Sequence, residues 1–171
     1  DLDQLVERVA ALLGEDRVKR DASWGFDHGS WGVILPMYPA ADIPMVQLSL
    51  DRTASPAEHL ARAAALAPLR DEGVLIVGSG MSYHNLRHFA DYAPESYAFH
   101  DWIDQAVQGD WQARCDQLAQ WHSAPGGRAS HPREEHLLPL MVASGAGSDL
   151  PGRVIWRGAI GPTCIGAWAF D

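Results

Sequence analysis

The sequence predicts an α/β fold in which a mixed central sheet is covered by helices on both faces of a single domain. Residues 45–50 form a short strand-like run, residues 55–70 have helical composition, and residues 74–77 form an apolar run typical of strands buried on both faces. A strand, a helix and a second strand in this order predict two parallel strands with a right-handed crossover. The length of 171 residues suits one such domain.

The first predicted element is an amphipathic helix. Apolar residues recur at helical spacing from Leu2 to Leu13, with an aspartate at position 1 or 3 to cap the start and Gly14 to end it. Residues 15–44 are rich in Gly, Trp and Pro and are predicted to be irregular, apart from one short helix over residues 31–37.

The helix between the two predicted strands has clear boundary signals. Ser55 and Glu58 match a capping box with Pro56 at the first helical position, and Gly73 is placed to stop the helix. The remaining predictions are one or two helices over residues 97–121 with a break near Gly109, a linker over 123–130, a helix over 134–144, and a terminal hairpin over 154–170.

Composition excludes several function classes. Thirteen Lys and Arg against 22 Asp and Glu give a net charge of −9, which disfavours nucleic acid as a partner. The two cysteines lie far apart in sequence, which indicates neither a disulfide framework nor a thiolate metal site. No apolar run approaches the ~20 residues that span a bilayer. We therefore expect a soluble, cytoplasmic protein without a membrane partner.

His84 follows the predicted buried strand, where ligands gather in open α/β sheets. The alternative is a histidine that caps the next helix. The nearby Gly78-x-Gly80 is a weak dinucleotide signal because Tyr83 occupies the position of the third glycine. Ser82 also fails the nucleophile-elbow pattern, which requires glycine where His84 stands.

His84 and His88 are four residues apart and could share one face of a helix, as metal-binding histidines do. Asn85 stands where a zinc peptidase needs its glutamate base. Such a pair often arises by chance, and a zinc-dependent hydrolase is kept as an alternative.

Two other histidines are candidates. His28 lies in a loop rich in glycine and aromatic residues that could hold its imidazole against a ligand, although Asp27 could simply cap a short helix there. His136 stands beside an apolar stripe, where a core-edge position is the commoner case. Three further histidines have polar surroundings and are predicted to lie at the surface: His59, His100 and His122.

Several segments in order, SWGFDHGSWG, MYPAADIPMVQLSLD, LRDEGVLIVGSG with HNLR, and HPREEHLLPL, resemble the DOPA-dioxygenase-type branch of the class III extradiol ring-cleavage dioxygenases, the LigB-like superfamily. The resemblance implies one α/β domain and a non-haem metal, Fe(II) for activity and Zn(II) in some purified proteins. The implied reaction inserts both atoms of O₂ into a catechol-type ring beside its diol.

Three site residues follow from the resemblance. His84, in the HNL segment, corresponds to a metal ligand. His28, in the Asp-His-Gly motif, corresponds to an acid/base group beside the substrate, and His136 lines the same pocket as a second catalytic residue. The resemblance leaves the oligomeric state open, a homo-oligomer included.

The family's other two metal ligands lie in N-terminal Gly-His-Gly-Ser-Pro and Ser-Ala-His motifs that do not occur in this sequence. We therefore expect residues 1–171 to be the C-terminal portion of one catalytic domain that an N-terminal segment of the same protein completes. A non-catalytic homologue or inactive remnant is the remaining alternative.

Overall fold

The structure is a computed structural model that describes residues 1–91 and 93–171. The chain divides into two compact units, residues 1–50 and residues 51–171. No helix among the described residues combines the length and apolar character that crossing a membrane requires.

The first unit begins with the predicted helix. Helix α1 spans Leu2–Leu13, and the Asp1 carboxylate accepts the N–H of Asp3 at 3.1 Å, which confirms the predicted cap. Gly14 ends the helix with a φ of +96°, a conformation that glycine adopts without steric cost. A 3₁₀ turn over Glu15–Arg17 follows.

Helix α2 spans His28–Met37 and is longer than the predicted 31–37 helix. It begins earlier because the Asp27 carboxylate accepts the N–H of Ser30 at 2.9 Å and so caps the first turn. The Gln47 amide oxygen accepts the Asp27 N–H at 3.0 Å and the Ser30 hydroxyl at 2.6 Å, which anchors this helix start to the end of the unit.

The described residues of the second unit contain the helices α3 (Pro56–Ala64), α4 (Pro68–Asp71), α5 (Pro94–Gln108), α6 (Trp111–Ala119), α7 (Gly127–Ser130) and α8 (Leu138–Gly147), with a 3₁₀ turn over Trp121–Ser123. The capping box is confirmed, since Ser55 Oγ accepts the Glu58 N–H and the Glu58 carboxylate accepts the Ser55 N–H at 2.7 Å. The break at Gly109 is also confirmed, because α5 ends at the residue before it.

Two helix predictions differ from the structure. The predicted helix over 55–70 is divided into α3 and α4 at Pro68, which lacks an N–H and therefore occupies the first turn of α4. The helix predicted over 134–144 begins at Leu138 rather than at 134. Pro139 fits only in the first turn of a helix, so residues 132–137 form bends and turns instead.

The terminal hairpin is confirmed. Strands β1 (Arg153–Ile160) and β2 (Thr163–Ala169) pair in antiparallel fashion, with Ile160 opposite Thr163. Gly161 turns between them with a φ of +57°.

The central sheet is not present among the described residues. Residues 45–50 and 74–77 have no regular secondary structure, so neither segment forms a strand. Leu75 is 61% exposed and Val77 is 40% exposed, so the apolar run is not buried on both faces. A strand requires a partner for its backbone groups, and β1 and β2 pair only with each other in the described structure. The described fold is therefore mixed α/β, with many helices and one small sheet.

The core of the second unit is built from helices and the hairpin. Helix α3 packs on α8, and α5 packs on both α6 and β2. The buried apolar side chains of this unit include Leu60, Phe99, Ile103, Leu118, Trp121 and Met141.

Candidate active site

The segment that carries His84 lies closely against the start of α8. A Cβ atom at Gly78 would overlap the carbonyl oxygen of Pro139, and one at Gly80 would overlap the carbonyl oxygen of His136. Only glycine fits at either position without a shift of the backbone. The Gly-x-Gly spacing therefore serves this close approach, which brings the chain near His84 beside His136.

The Ser82 side chain connects the same segment to α5 and β2 by hydrogen bonds. The His100 Nδ1 lies 2.6 Å from the carbonyl oxygen of Ser96, which can only accept, so this nitrogen carries the proton. The His100 Nε2 is then the acceptor for the Ser82 hydroxyl at 2.8 Å. The Ser82 Oγ in turn accepts the Gly166 N–H at 2.9 Å. The hydroxyl thus donates to α5 and accepts from β2, so Ser82 holds the segment in place.

His131 holds the backbone of Ser82 from the other side. Its Nε2 donates to the Ser82 carbonyl oxygen at 2.9 Å, and its Nδ1 is buried without a hydrogen-bond partner among the described residues. Burial is the main cause that lowers the pKa of His131 to about 4; the neighbouring His84 also lowers it, whereas the hydrogen bond to Ser82 raises it. His131 is therefore neutral at pH 7.

His84 is fixed by its backbone and by the residue that follows. Its N–H donates to the Ser130 carbonyl oxygen at 2.9 Å, and the Asn85 side-chain amide donates to the Ala129 carbonyl oxygen at 2.8 Å. Both bonds tie the segment to α7. The backbone at His84 is thus held while its half-buried ring faces a cavity of about 520 Å³.

The structure brings His84 and His136 together. Their ring centroids are 3.5 Å apart and the rings are inclined by 24°, a stacked arrangement. Burial lowers the pKa of His136, and the adjacent His84 lowers it as well. At neutral pH the His136 imidazole is therefore uncharged and keeps one nitrogen able to accept a proton.

His28 lies in the first unit, whereas His84 and His136 lie in the second. It occupies the first position of α2, is exposed, and meets the Trp31 ring edge-on with centroids 5.0 Å apart. Asp27 does cap a helix, and the imidazole of His28 is accessible.

The helical pair of His84 and His88 is not formed. Residues 84–88 form turns and irregular backbone rather than a helix, so the four-residue spacing does not place both rings on one helix face. The His88 Nδ1 pairs instead with the Asp91 carboxylate at 3.2 Å. The spacing of His84 and His88 therefore gives no support to a two-histidine hydrolase site.

Three surface predictions have mixed outcomes. His122 is exposed, as predicted. The predictions for His59 and His100 are wrong, because both are buried. Each Nδ1 donates to the backbone carbonyl four residues earlier. The second ring nitrogen of His100 is also bonded, whereas that of His59 is buried without a hydrogen-bond partner among the described residues. The sequence analysis also missed His131 as a supporting residue; its place directly before Pro132 in a segment without periodicity gave no signal.

The donor set for a metal is incomplete within this chain. No group of three or more His, Cys, Asp or Glu side chains able to hold a metal ion occurs in residues 1–91 and 93–171. The imidazole of His84 suits one ligand position, because histidine binds metals through a ring nitrogen. The described residues fit one position of a metal site and do not form a whole one.

Comparison with known proteins assigns these features to a family. Residues 3–158 match the model described as the catalytic LigB subunit of aromatic ring-opening dioxygenase. The chain is 43% identical over 150 residues to 4,5-DOPA dioxygenase extradiol of Escherichia coli (strain K12), an alignment that covers 83% of this chain and 55% of that protein. It is 37% identical over 153 residues to 4,5-DOPA dioxygenase extradiol of Beta vulgaris, covering 85% of this chain and 56% of that protein.

One solved structure is similar to this chain in fold. The crystal structure of an uncharacterized protein from Escherichia coli K12 matches with a TM-score of 0.84 and 36% identity, over 97% of this chain and 71% of that chain. The chain spans about half the length of the curated relatives it matches.

Proposed function

The chain belongs to the family of catalytic LigB subunits of aromatic ring-opening dioxygenases, and from this premise we propose that the intact protein cleaves a catechol-type ring with O₂ beside its diol. The observation that best supports this is the stacked pair of His84 and His136, in which His84 lines a cavity large enough for a small aromatic molecule. The relatives named as 4,5-DOPA dioxygenases support the same reaction class.

His84 is proposed as one ligand of a non-haem metal. When bound, such a metal supplies open positions at which a catecholate and O₂ meet, with iron(II) proposed for activity and zinc as the alternative in purified protein. Two hydrogen bonds would hold the backbone at His84 in one position: the His84 N–H donates to the Ser130 carbonyl oxygen, and His131 donates to the Ser82 carbonyl oxygen.

His136 and His28 are proposed as the groups that move protons. An uncharged imidazole beside the ring can accept a phenolic proton when the catechol binds and can return a proton later in the reaction. The lowered pKa of His136 supports the accepting role at neutral pH. His28 is exposed on the first turn of α2, and its Asp-His-Gly motif supports the acid/base role.

The remaining ligands are proposed to come from a further segment of the intact protein. The coverage of about half of each relative leaves room for such a segment. Residues 45–50 and 74–77 have no strand partners in the described structure. The same further segment would supply these partners and so build the central sheet with helices on both faces.

Metal content and oxygen-dependent turnover test the proposal. In the intact protein, His84→Ala is expected to abolish bound iron or zinc, while the matched control His88→Ala leaves metal content nearly unchanged because His88 pairs with Asp91. Elemental analysis of both variants measures this directly. The parent protein is expected to consume O₂ and form a yellow product from a catechol.

Two results would contradict the proposal. Equal loss of metal in His84→Ala and His88→Ala would favour the two-histidine site. A parent protein that hydrolyses substrates without O₂, or that binds no metal at full length, would favour the hydrolase or the non-catalytic homologue.

A further inference from the structure

The first turn of α2, which carries His28, is held by a glutamine from a distant part of the sequence. The Gln47 Oε1 accepts the Asp27 N–H at 3.0 Å and the Ser30 hydroxyl at 2.6 Å. Because a backbone N–H can only donate, the amide oxygen of Gln47 faces the helix start, and the Ser30 hydroxyl donates to the same atom. All four residues belong to the first unit of the chain.

Gln47 adds to the helix cap that Asp27 already provides. The Asp27 carboxylate accepts the Ser30 N–H at 2.9 Å and also lies 3.0 Å from the Ser30 hydroxyl. That hydroxyl has one proton, and the Gln47 oxygen at 2.6 Å is the closer of its two acceptors. The cap fixes where the helix begins, whereas Gln47 holds the residues on both sides of His28 against the end of the unit.

The ring of His28 lies over its own helix, so its orientation depends on how α2 begins. It meets the Trp31 ring edge-on, with centroids 5.0 Å apart and an angle of 84° between the planes. A Cβ atom at Gly32 would lie 3.7 Å from the His28 Nε2, in ordinary van der Waals contact. Since Gly32 has no side chain, nothing extends from that position over the nitrogen. A shift of the first turn would therefore move the imidazole together with its surroundings on α2.

Position matters for an acid/base group because it must lie within hydrogen-bond distance of the proton that it moves. A misplacement of about 1 Å can lower a rate by about 10²-fold. A hydrogen bond that holds the backbone beside such a group therefore affects the rate of the reaction as well as the stability of the helix.

We propose that Gln47 is a positioning residue for His28, and that its amide oxygen sets the orientation of the imidazole during ring cleavage. This inference rests on the proposed function, in which His28 transfers protons. Gln47 acts through the first turn of α2 and has no contact of its own with the substrate.

Steady-state kinetics of the intact protein test the proposal, with 4-methylcatechol as substrate and O₂ consumption as the signal. Gln47→Met keeps the length of the side chain but removes the acceptor oxygen. It should lower kcat roughly tenfold and change KM by less than about twofold, because the substrate still binds while the proton transfer is slowed. Gln47→Glu keeps an acceptor oxygen, and a helix N-terminus favours negative charge, so its kcat should lie within about threefold of the parent value. Elemental analysis should find the parent's metal content in both variants.

A double-mutant cycle separates positioning from a purely structural role. If Gln47 acts through His28, Gln47→Met should lower kcat by less than about twofold in the His28→Phe variant, which lacks the group to be positioned. A general loss of structure would lower kcat by the same factor with and without His28. Gln4→Met is the matched control, because Gln4 is an exposed glutamine on α1 of the same unit and its replacement should leave kcat unchanged.

Amide hydrogen exchange tests the structural step without turnover. The Asp27 N–H should exchange at least about fivefold faster in Gln47→Met than in the parent, since its acceptor is missing, and Gln47→Glu should restore the protection. An Asp27 N–H that exchanges at the parent's rate in Gln47→Met would overturn the proposal.

The outcomes distinguish this inference from the proposed function. A parent protein that cleaves no catechol would refute the proposed function. An active parent whose Gln47→Met variant keeps its kcat, or loses the same factor with and without His28, would overturn the role of Gln47 alone. If Gln47→Met does not fold, Ser30→Ala removes only one of the two donors and should lower kcat about threefold, again only when His28 is present; equal losses in both backgrounds would overturn the proposal.

Discussion

Acid should destabilise the protein through His131. The Nε2 of this buried ring donates to the Ser82 carbonyl oxygen, and its Nδ1 has no acceptor among the described residues. A second proton would place an unpaired charge in the protein interior. The unfolded chain has no such restriction, so protonation favours unfolding.

The size of the effect follows from the difference in pKa. The pKa of His131 falls from an ordinary value of 6.5 to about 4 on folding. Between these values the unfolded chain binds a proton that the folded chain does not, so the free energy of unfolding falls as the pH falls through this window. At 1.36 kcal/mol per pKa unit the loss is roughly 3 kcal/mol, complete near pH 4 and absent above pH 7.

Urea unfolding followed by tryptophan fluorescence at pH 7, 5.5 and 4 measures this loss. His131→Asn keeps a donor for the Ser82 carbonyl but binds no proton, so its stability should fall by roughly 3 kcal/mol less than that of the parent between pH 7 and pH 4. His122→Asn, at an exposed histidine, should keep the parent's dependence on pH. A His131→Asn variant that loses as much stability in acid as the parent would refute the reasoning.

Three further perturbations have defined outcomes. Gly80→Ala should cost about 1–3 kcal/mol in urea unfolding because its Cβ overlaps the His136 carbonyl oxygen, whereas Gly25→Ala, with open space around it, should change stability by less than about 0.5 kcal/mol. Arg114→Met should cost about 3 kcal/mol by the same assay, since it leaves the Leu150 carbonyl, bonded at 2.7 Å, and the Ser148 carbonyl without their donor. His28→Phe should retain metal and catechol binding in the intact protein but lose roughly 10²–10⁴-fold in turnover; unchanged turnover would leave His136 as the proton acceptor.

Local signals in the sequence predicted local structure well. The Asp1 cap, the Ser55–Glu58 capping box, the break at Gly109 and the terminal hairpin depend on residues close together in the chain, and each is confirmed. The run at 74–77 has the composition of a buried strand, but composition alone cannot supply the neighbouring strand that completes its hydrogen bonds. The prediction of two paired strands therefore depended on partners that the described residues do not contain.

The candidate site was predictable only in part, because it also depends on contacts between residues that are distant in sequence. His84 and His136 were selected by resemblance to a family, and the structure stacks their rings. His100 was assigned to the surface because its sequence neighbours are polar, yet it is buried against Ser82, 18 residues earlier in the chain. Such long-range hydrogen bonds leave no periodic pattern, so no local rule detects them.

The histidines around the candidate site share a lowered pKa, and the proposed chemistry requires their rings to be uncharged. His100 and His131 lie in the interior, and burial lowers the pKa of each, as it does for His136, which stacks on His84. If any of them were charged at neutral pH, the charge would oppose both a bound metal cation and proton uptake by the stacked pair. Their neutral rings instead fix the backbone at Ser82 by hydrogen bonds alone. The supporting residues therefore hold His84 in place without adding positive charge beside it.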